Sequence, residues 1–166
     1  LRADGPADNQ ADTVRPMPPV GVAISDTNRG ALESAITMLK EDISQASLAV
    51  SDDPKLRDYL PDIEIFHKAV RVALDYNEFY KPETEVPAAK KLIEIGRIRA
   101  NALRNGDTPW DEEKGLVVRS YRSRIDGSVQ PYGLVIPESL NLESSDPIRL
   151  DTWFHGRGEK LTELSF

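Results

Sequence analysis

GLVVRSYRSRIDGSVQPYGLVIP, residues 115–137, decides between a purely helical protein and a mixed one. Valine, isoleucine, leucine and tyrosine crowd both ends, a composition that suits a pleated, half-buried surface. Asp126-Gly127 falls between the two runs, and these residues tolerate the positive backbone angles that a tight turn demands. The stretch reads as a β-hairpin of GLVVRSYRSRI and SVQPYGLVIP. Pro131 then belongs at an edge, a bulge or a strand end, because proline has no N–H to give to a ladder. A further run, IRLDTWFHG at residues 148–156, has the same composition and reads as a third strand.

Upstream of Gly115 the apolar period lengthens from two to between three and four. SDTNRGALESAITMLKEDISQAS offers Ser25 or Asp26 as an N-cap and then Leu32, Ala35 or Ile36, Leu39 and Ile43 on one face, which predicts a helix broken before Pro54. LPDIEIFHKAVRVALDYNEFY places Pro61 at a first helical position and Asp62 and Glu64 at the positive end of the macrodipole. Its face is Ile63, Phe66, Val70, Leu74 and Asn77, and its aromatic end, Tyr76, Phe79 and Tyr80, reads as packing surface in a helix that stops before Pro82. A third helix is expected from about Thr84, with Pro87 in its first turn, a stripe of Ala89, Leu92, Ile93, Gly96, Ala100 and Leu103, and Gly106 as its stop. Gly96 within that stripe costs about 1 kcal/mol against alanine in an isolated helix, so close approach of a neighbouring helix is the reason to expect it there.

The net charge of -7 over 166 residues speaks against a nucleic-acid or anionic-membrane partner, since phosphate affinity comes from concentrated lysine and arginine. No apolar run reaches the ~18 residues that span a bilayer. There is no cysteine, which removes disulfides, thiolate metal sites and thiol nucleophiles. Neither a cofactor nor a metal is expected. Residues 1–24 open on Leu1, and the polar, proline-rich stretch LRADGPADNQADTVRPMPP at their start reads as a mobile tail. Signal-peptide removal, and hence a secreted or periplasmic protein, explains that start as well as trimming of a cytoplasmic one does.

The sharpest chemical signal is HGRG, residues 155–158, at the carboxyl end of the expected third strand. Two glycines there let the backbone turn tightly and approach a ligand, so its amides can point at developing negative charge, as in an oxyanion hole. A plain Gly-rich turn with His155 capped or half buried has the same local composition. Taken with its surroundings, YRSRIDGSVQPYGLVIPESL and RLDTWFHGRGEKLTELSF, the segment resembles the start of an α/β-hydrolase, in particular the prolyl-oligopeptidase-like and esterase group of bacterial serine hydrolases. About fifty residues carry the resemblance.

Three helices joined by short links suggest an antiparallel three-helix unit over 25–106, and the resemblance makes this the N-terminal extension of an α+β chain whose residues 115–166 are the opening hairpin and third strand of an α/β-hydrolase sheet. It implies that the Arg157 amide is one oxyanion donor, that Gly156 and Gly158 permit the turn, and that His155 orients the loop without being the triad histidine. The substrate would be an ester or a peptide. No G-x-S-x-G occurs in these residues, so the chain alone contains no nucleophile for that chemistry. The implied partner is the remainder of the hydrolase domain, as downstream residues or as a second chain. The alternative is a non-catalytic helical module that binds another protein, with the β-segment as its platform.

Other clusters read as structural. Arg119, Arg122 and Arg124 around Tyr121 suit a solvated strand face, with one arginine free to pair with Asp126 or an acidic helix residue. Lys90, Arg97 and Arg104, interleaved with Glu94, suit an ion-paired helix face. Asp52-Asp53 and Asp111-Glu112-Glu113 lack the alternation of a calcium loop and read as solubilising. His67 has no second histidine at ligand spacing and reads as a satisfied structural side chain.

Overall fold

A computed structural model describes residues 19–141, 147–154, 158 and 160–165. Three long helices, α1 (Asp26–Ala49), α3 (Pro61–Asp75) and α4 (Pro82–Arg104), are joined by short links, the first of which holds the one-turn helix α2 (Pro54–Arg57). A 3-10 turn at Pro109–Asp111 leads into the antiparallel strands β1 (Gly115–Arg122) and β2 (Val129–Ile136). The protein is thus α+β, with a two-stranded sheet.

Ser25 caps α1 by accepting from the Asn28 amide at 3.3 Å, which settles the choice between Ser25 and Asp26. The anticipated stripe is the buried one, with Leu32 and Leu39 wholly inside and Ala35, Ile36 and Ile43 packed beside them. Arg29 at the start of α1 donates to the Leu74 carbonyl at the end of α3 at 3.2 Å, so these helices run in opposite directions. Asp42 and Gln45 of α1 meet Arg97 and Arg104 of α4 in the same order, so α1 and α4 run parallel. The chain therefore goes up, down and up, and each helix is antiparallel to its neighbour in sequence.

Two helix ends differ from expectation. α3 stops at Asp75 rather than running through the aromatic cluster, because Asn77 adopts a left-handed φ of 53° that no helix continues through. Phe79 still reaches the core, Tyr80 donates to the Pro19 carbonyl at 3.1 Å, and Tyr76 is left in solvent. α4 begins at Pro82, two residues early, which moves Pro87 from the first turn into the second and leaves the Glu83 carbonyl without its helical donor.

Gly96 marks where the three long helices come closest. A Cβ at that position would lie 2.9 Å from Phe66 Cβ on α3 and 3.1 Å from the Leu39 methyls on α1. Phe66 Cβ is fixed to its backbone and cannot swing aside, so the absence of a side chain at Gly96 sets the spacing of the bundle.

The hairpin exists, but its turn is wider than a two-residue Asp-Gly link. The ladder closes at Ser123, whose amide donates to the Ser128 carbonyl at 2.8 Å, and Arg124, Ile125, Asp126 and Gly127 form the loop. Gly127 takes the left-handed position at φ 71°, while Asp126 Oδ1 accepts from the Ser128 amide at 3.1 Å and its hydroxyl at 2.7 Å. These bonds, to Ser128 first and then Ser123, hold the Asp126 carboxyl down at about 2.

Hydrogen-bonded and open pairs alternate along an antiparallel ladder. Counting from Ser123–Ser128, the Ser120–Pro131 pair is an open one. Proline sits inside β2 at no cost in ladder bonds.

The run expected as a third strand does not form one over its described part. Residues 147–154 have no ladder partner, and Ile148, Leu150, Trp153 and Phe154 stand exposed. Beyond them, residues 160–165 return to the helices: Leu164 enters the core, and Glu163 pairs with Lys68 of α3 at 2.6 Å.

Gly96→Ala tests the crossing. Helix propensity alone would raise stability by about 1 kcal/mol, but overpacking costs about 1–3 kcal/mol, so urea unfolding should show no gain and a net loss of up to about 2 kcal/mol. A gain would mean that the helices separate freely. A carbon-detected titration of Asp126 should give a midpoint near 2. Because its folded pKa is depressed, its contribution to stability is present above the ordinary value of 3.8 and is lost as pH falls through about 2.

Candidate functional site

His155, Gly156 and Arg157 lie outside the described residues, as does the tail over 1–18. Gly158 is described and exposed. The two sides of the expected oxyanion turn are placed very differently: residues 147–154 are exposed, whereas 160–165 are fastened to the helical unit through Leu164 and the Glu163–Lys68 pair.

The most highly organised polar cluster lies where the hairpin meets the helices. Asp62, in the first turn of α3, is 1% exposed. Its Oδ1 accepts from the Ser120 amide at 2.5 Å and its Oδ2 from Arg119 Nε at 2.7 Å and Trp110 Nε1 at 3.1 Å. Arg119 also reaches Asp111 at 2.5 Å, and Asp111 accepts from the Tyr59 hydroxyl. Burial alone would lower the pKa of Arg119, but the carboxylates of Asp62 and Asp111 outweigh it and raise that pKa. Tyr59 is raised by its bond to Asp111 and by burial.

Arg99 of α4 completes the seam. Its guanidinium stacks 5.2 Å from the Phe66 ring centroid and 5.1 Å from that of Trp110, donates to the Val118 carbonyl at 2.9 Å, and lies 3.6 Å from Glu113. Burial pushes its pKa down, with Glu113 and Asp62 opposing. With strong donors filling both Asp62 oxygens, this carboxylate is an anchor rather than a proton acceptor for a substrate.

Arg119 leaves the solvated face expected for the strand and pairs with Asp62, an acidic helix residue as the sequence reading allowed for one arginine, and with Asp111 of the 3-10 turn. Arg122 pairs with Glu64, as an acidic helix residue allows. Asp53 caps α2, Asp111 joins the seam and Glu113 faces Arg99, so these acids have structural partners. Arg97 and Arg104 pair across to Asp42 and Gln45 of α1 rather than with Glu94.

A second feature is an open cleft of about 470 Å³ between α1, α3 and the hairpin loop. Lys40, Lys68, Arg71 and Arg122 line it against one carboxylate, Glu64, and His67 forms part of its wall. His67 is half buried and its ring has no hydrogen bond among the described residues. Its pKa is lowered by burial first and then by Arg71 and Lys40, with Asp75 opposing. The described residues contain no group of three histidine, cysteine or acidic side chains arranged to hold a metal, and no described helix is long and apolar enough to cross a membrane.

Removing one side of a buried ion pair costs about 3–5 kcal/mol. Asp62→Asn should approach that loss, because an amide NH2 would face the N–H groups of Arg119 and Trp110. Chemical unfolding followed by Trp110 fluorescence checks it, and a loss below 1 kcal/mol would mean that the seam is not anchored there. Comparison of the chain with family models, with curated proteins and with solved structures gives no match.

Proposed function

We propose that this chain is the N-terminal portion of a serine hydrolase, of the peptidase or carboxylesterase type, that supplies the oxyanion turn to a nucleophile carried outside residues 1–166. The observation that carries the reading is the asymmetry of the two-stranded sheet. Open pairs of an antiparallel ladder turn their backbone groups outward. On β1 two such groups are occupied, the Val118 carbonyl by Arg99 and the Ser120 amide by Asp62. On β2 the Val129 carbonyl at the loop end is taken by Lys68, while the outward amides and carbonyls of Gly133 and Val135 have no partner among the described residues.

Apolar side chains are also exposed on the hairpin and after it. Leu116, Tyr121 and Val135 on the hairpin and Ile148, Leu150, Trp153 and Phe154 after it are all largely in solvent. A lone hairpin with such a surface is marginal, and an unpaired edge invites a further strand. Both needs are met when β2 pairs within a larger sheet and the 148–154 run becomes a buried strand.

In that assembly the turn at 155–158 lies between the new strand and the segment anchored by Leu164. A serine attacks the carbonyl of an ester or peptide, the Arg157 amide donates to the resulting oxyanion, and Gly156 and Gly158 let the backbone come close enough. The helical unit holds the far end of the turn through Lys68 and Glu163.

The test is to express residues 1–166 alone and together with the sequence that follows them in the reading frame, and to probe both with a fluorophosphonate. Labelling of a serine is expected only in the longer product. There, Arg157→Pro, which deletes the amide, should lower kcat by about 10²–10³-fold, while Arg157→Ala, which keeps the amide, should leave most activity. A frame without a G-x-S-x-G serine, or equal rates for the two variants, would overturn the proposal and favour a non-catalytic protein-binding module.

A further inference from the structure

We propose that the cleft between α1, α3 and the hairpin loop binds a small oxyanion, a phosphate or carboxylate group, through Lys40, His67 and Arg71. This site is separate from the oxyanion turn and does not depend on the hydrolase reading.

The wall carries four cationic side chains against one carboxylate, in a chain whose overall charge is -7. Two of the four are already directed. Lys68 donates to the Val129 carbonyl at 2.7 Å and to Glu163 at 2.6 Å; Arg122 serves Glu64 and the Gly127 carbonyl. These bonds tie Lys68 and Arg122 to the protein itself.

The Lys40 ammonium of α1 has no hydrogen bond or ion pair among the described residues, and neither does the His67 ring of α3. Arg71 has one contact, at 2.9 Å, with Asp75 one turn on, an exposed pair of the kind worth only a few tenths of a kcal/mol. Three donors therefore converge on the cleft with little to hold them. Two come from successive turns of one helix and the third from the helix beside it.

Electrostatics agree with the geometry. His67 sits among Lys40, Lys68, Arg71 and Arg122, with Glu64 and Asp75 as the opposing charges, and its pKa is lowered by burial and by the two nearest cations. An anion between Lys40 and Arg71 reverses the second effect. It favours the imidazolium, which then gives two donors in place of one. Binding and protonation of His67 are therefore coupled, and affinity rises as pH falls through the His67 titration.

The experiment follows the His67 ring resonances of the full chain while sodium phosphate or sodium succinate replaces sodium chloride at constant ionic strength. A saturable shift and a higher His67 midpoint are expected with at least one probe. Saturation by phosphate alone supports a phosphate-bearing ligand, and saturation by succinate supports a carboxylate. Lys40→Gln, at an exposed position that leaves the core untouched, should weaken the response at least tenfold, while Lys90→Gln on the far helix should not. A linear response to both probes, or saturation unchanged by Lys40→Gln, overturns the site.

Discussion

The buried carboxylate of Asp62 is the point on which the rest of the structure depends. Taking an ion out of water costs several kcal/mol, and only well-formed hydrogen bonds return it. Asp62 receives an indole, a guanidinium and a backbone amide from Trp110, Arg119 and Ser120. Those donors belong to the 3-10 turn and to β1, so satisfying one side chain of α3 fixes both the loop and the hairpin against the helices. Without it, the hairpin would be attached through the buried Val117 and Val129, the bonds of Arg99 to the Val118 carbonyl and of Lys68 to the Val129 carbonyl, and the Arg122–Glu64 pair.

Arg99 works from the other side of the same seam. Its stem and guanidinium fill the space between Phe66 and Trp110, and its tip takes a strand carbonyl that would otherwise be open. One ionic group is therefore both core filling and edge cover. The helical unit and the strand segment, distinct in sequence pattern, are in this way a single packed body, and the same helices hold residues 160–165 beyond the expected oxyanion turn.

Much of this was legible because it is local. The stripes of α1, α3 and α4 follow the helical period, Gly96 announced a close crossing, and Asp126-Gly127 announced a reversal. What escaped depends on distance along the chain. Nothing near Arg119 shows that its partner is 57 residues upstream, or that Ser120 presents its amide to the same acid. The end of α3 escaped because the periodic signal runs on through Tyr76 while one left-handed residue, Asn77, stops the helix. The cationic cleft escaped for the same reason as the seam: His67, Lys68 and Arg71 are neighbours on α3, but Lys40 and Arg122 arrive from opposite ends of the sequence. A third strand was read from composition alone, and composition does not supply a pairing partner.

The covering of one strand of the hairpin has a consequence for self-association. Fibres grow when every subunit offers two complementary faces, one to receive and one to donate. Here Asp62 and Arg99 occupy the Ser120 amide and the Val118 carbonyl on one side of the ladder, so among the described residues the β2 side is the more open to a further strand. Two copies joined through that side would use up each other's capacity, and growth would end at a closed couple instead of propagating as a filament.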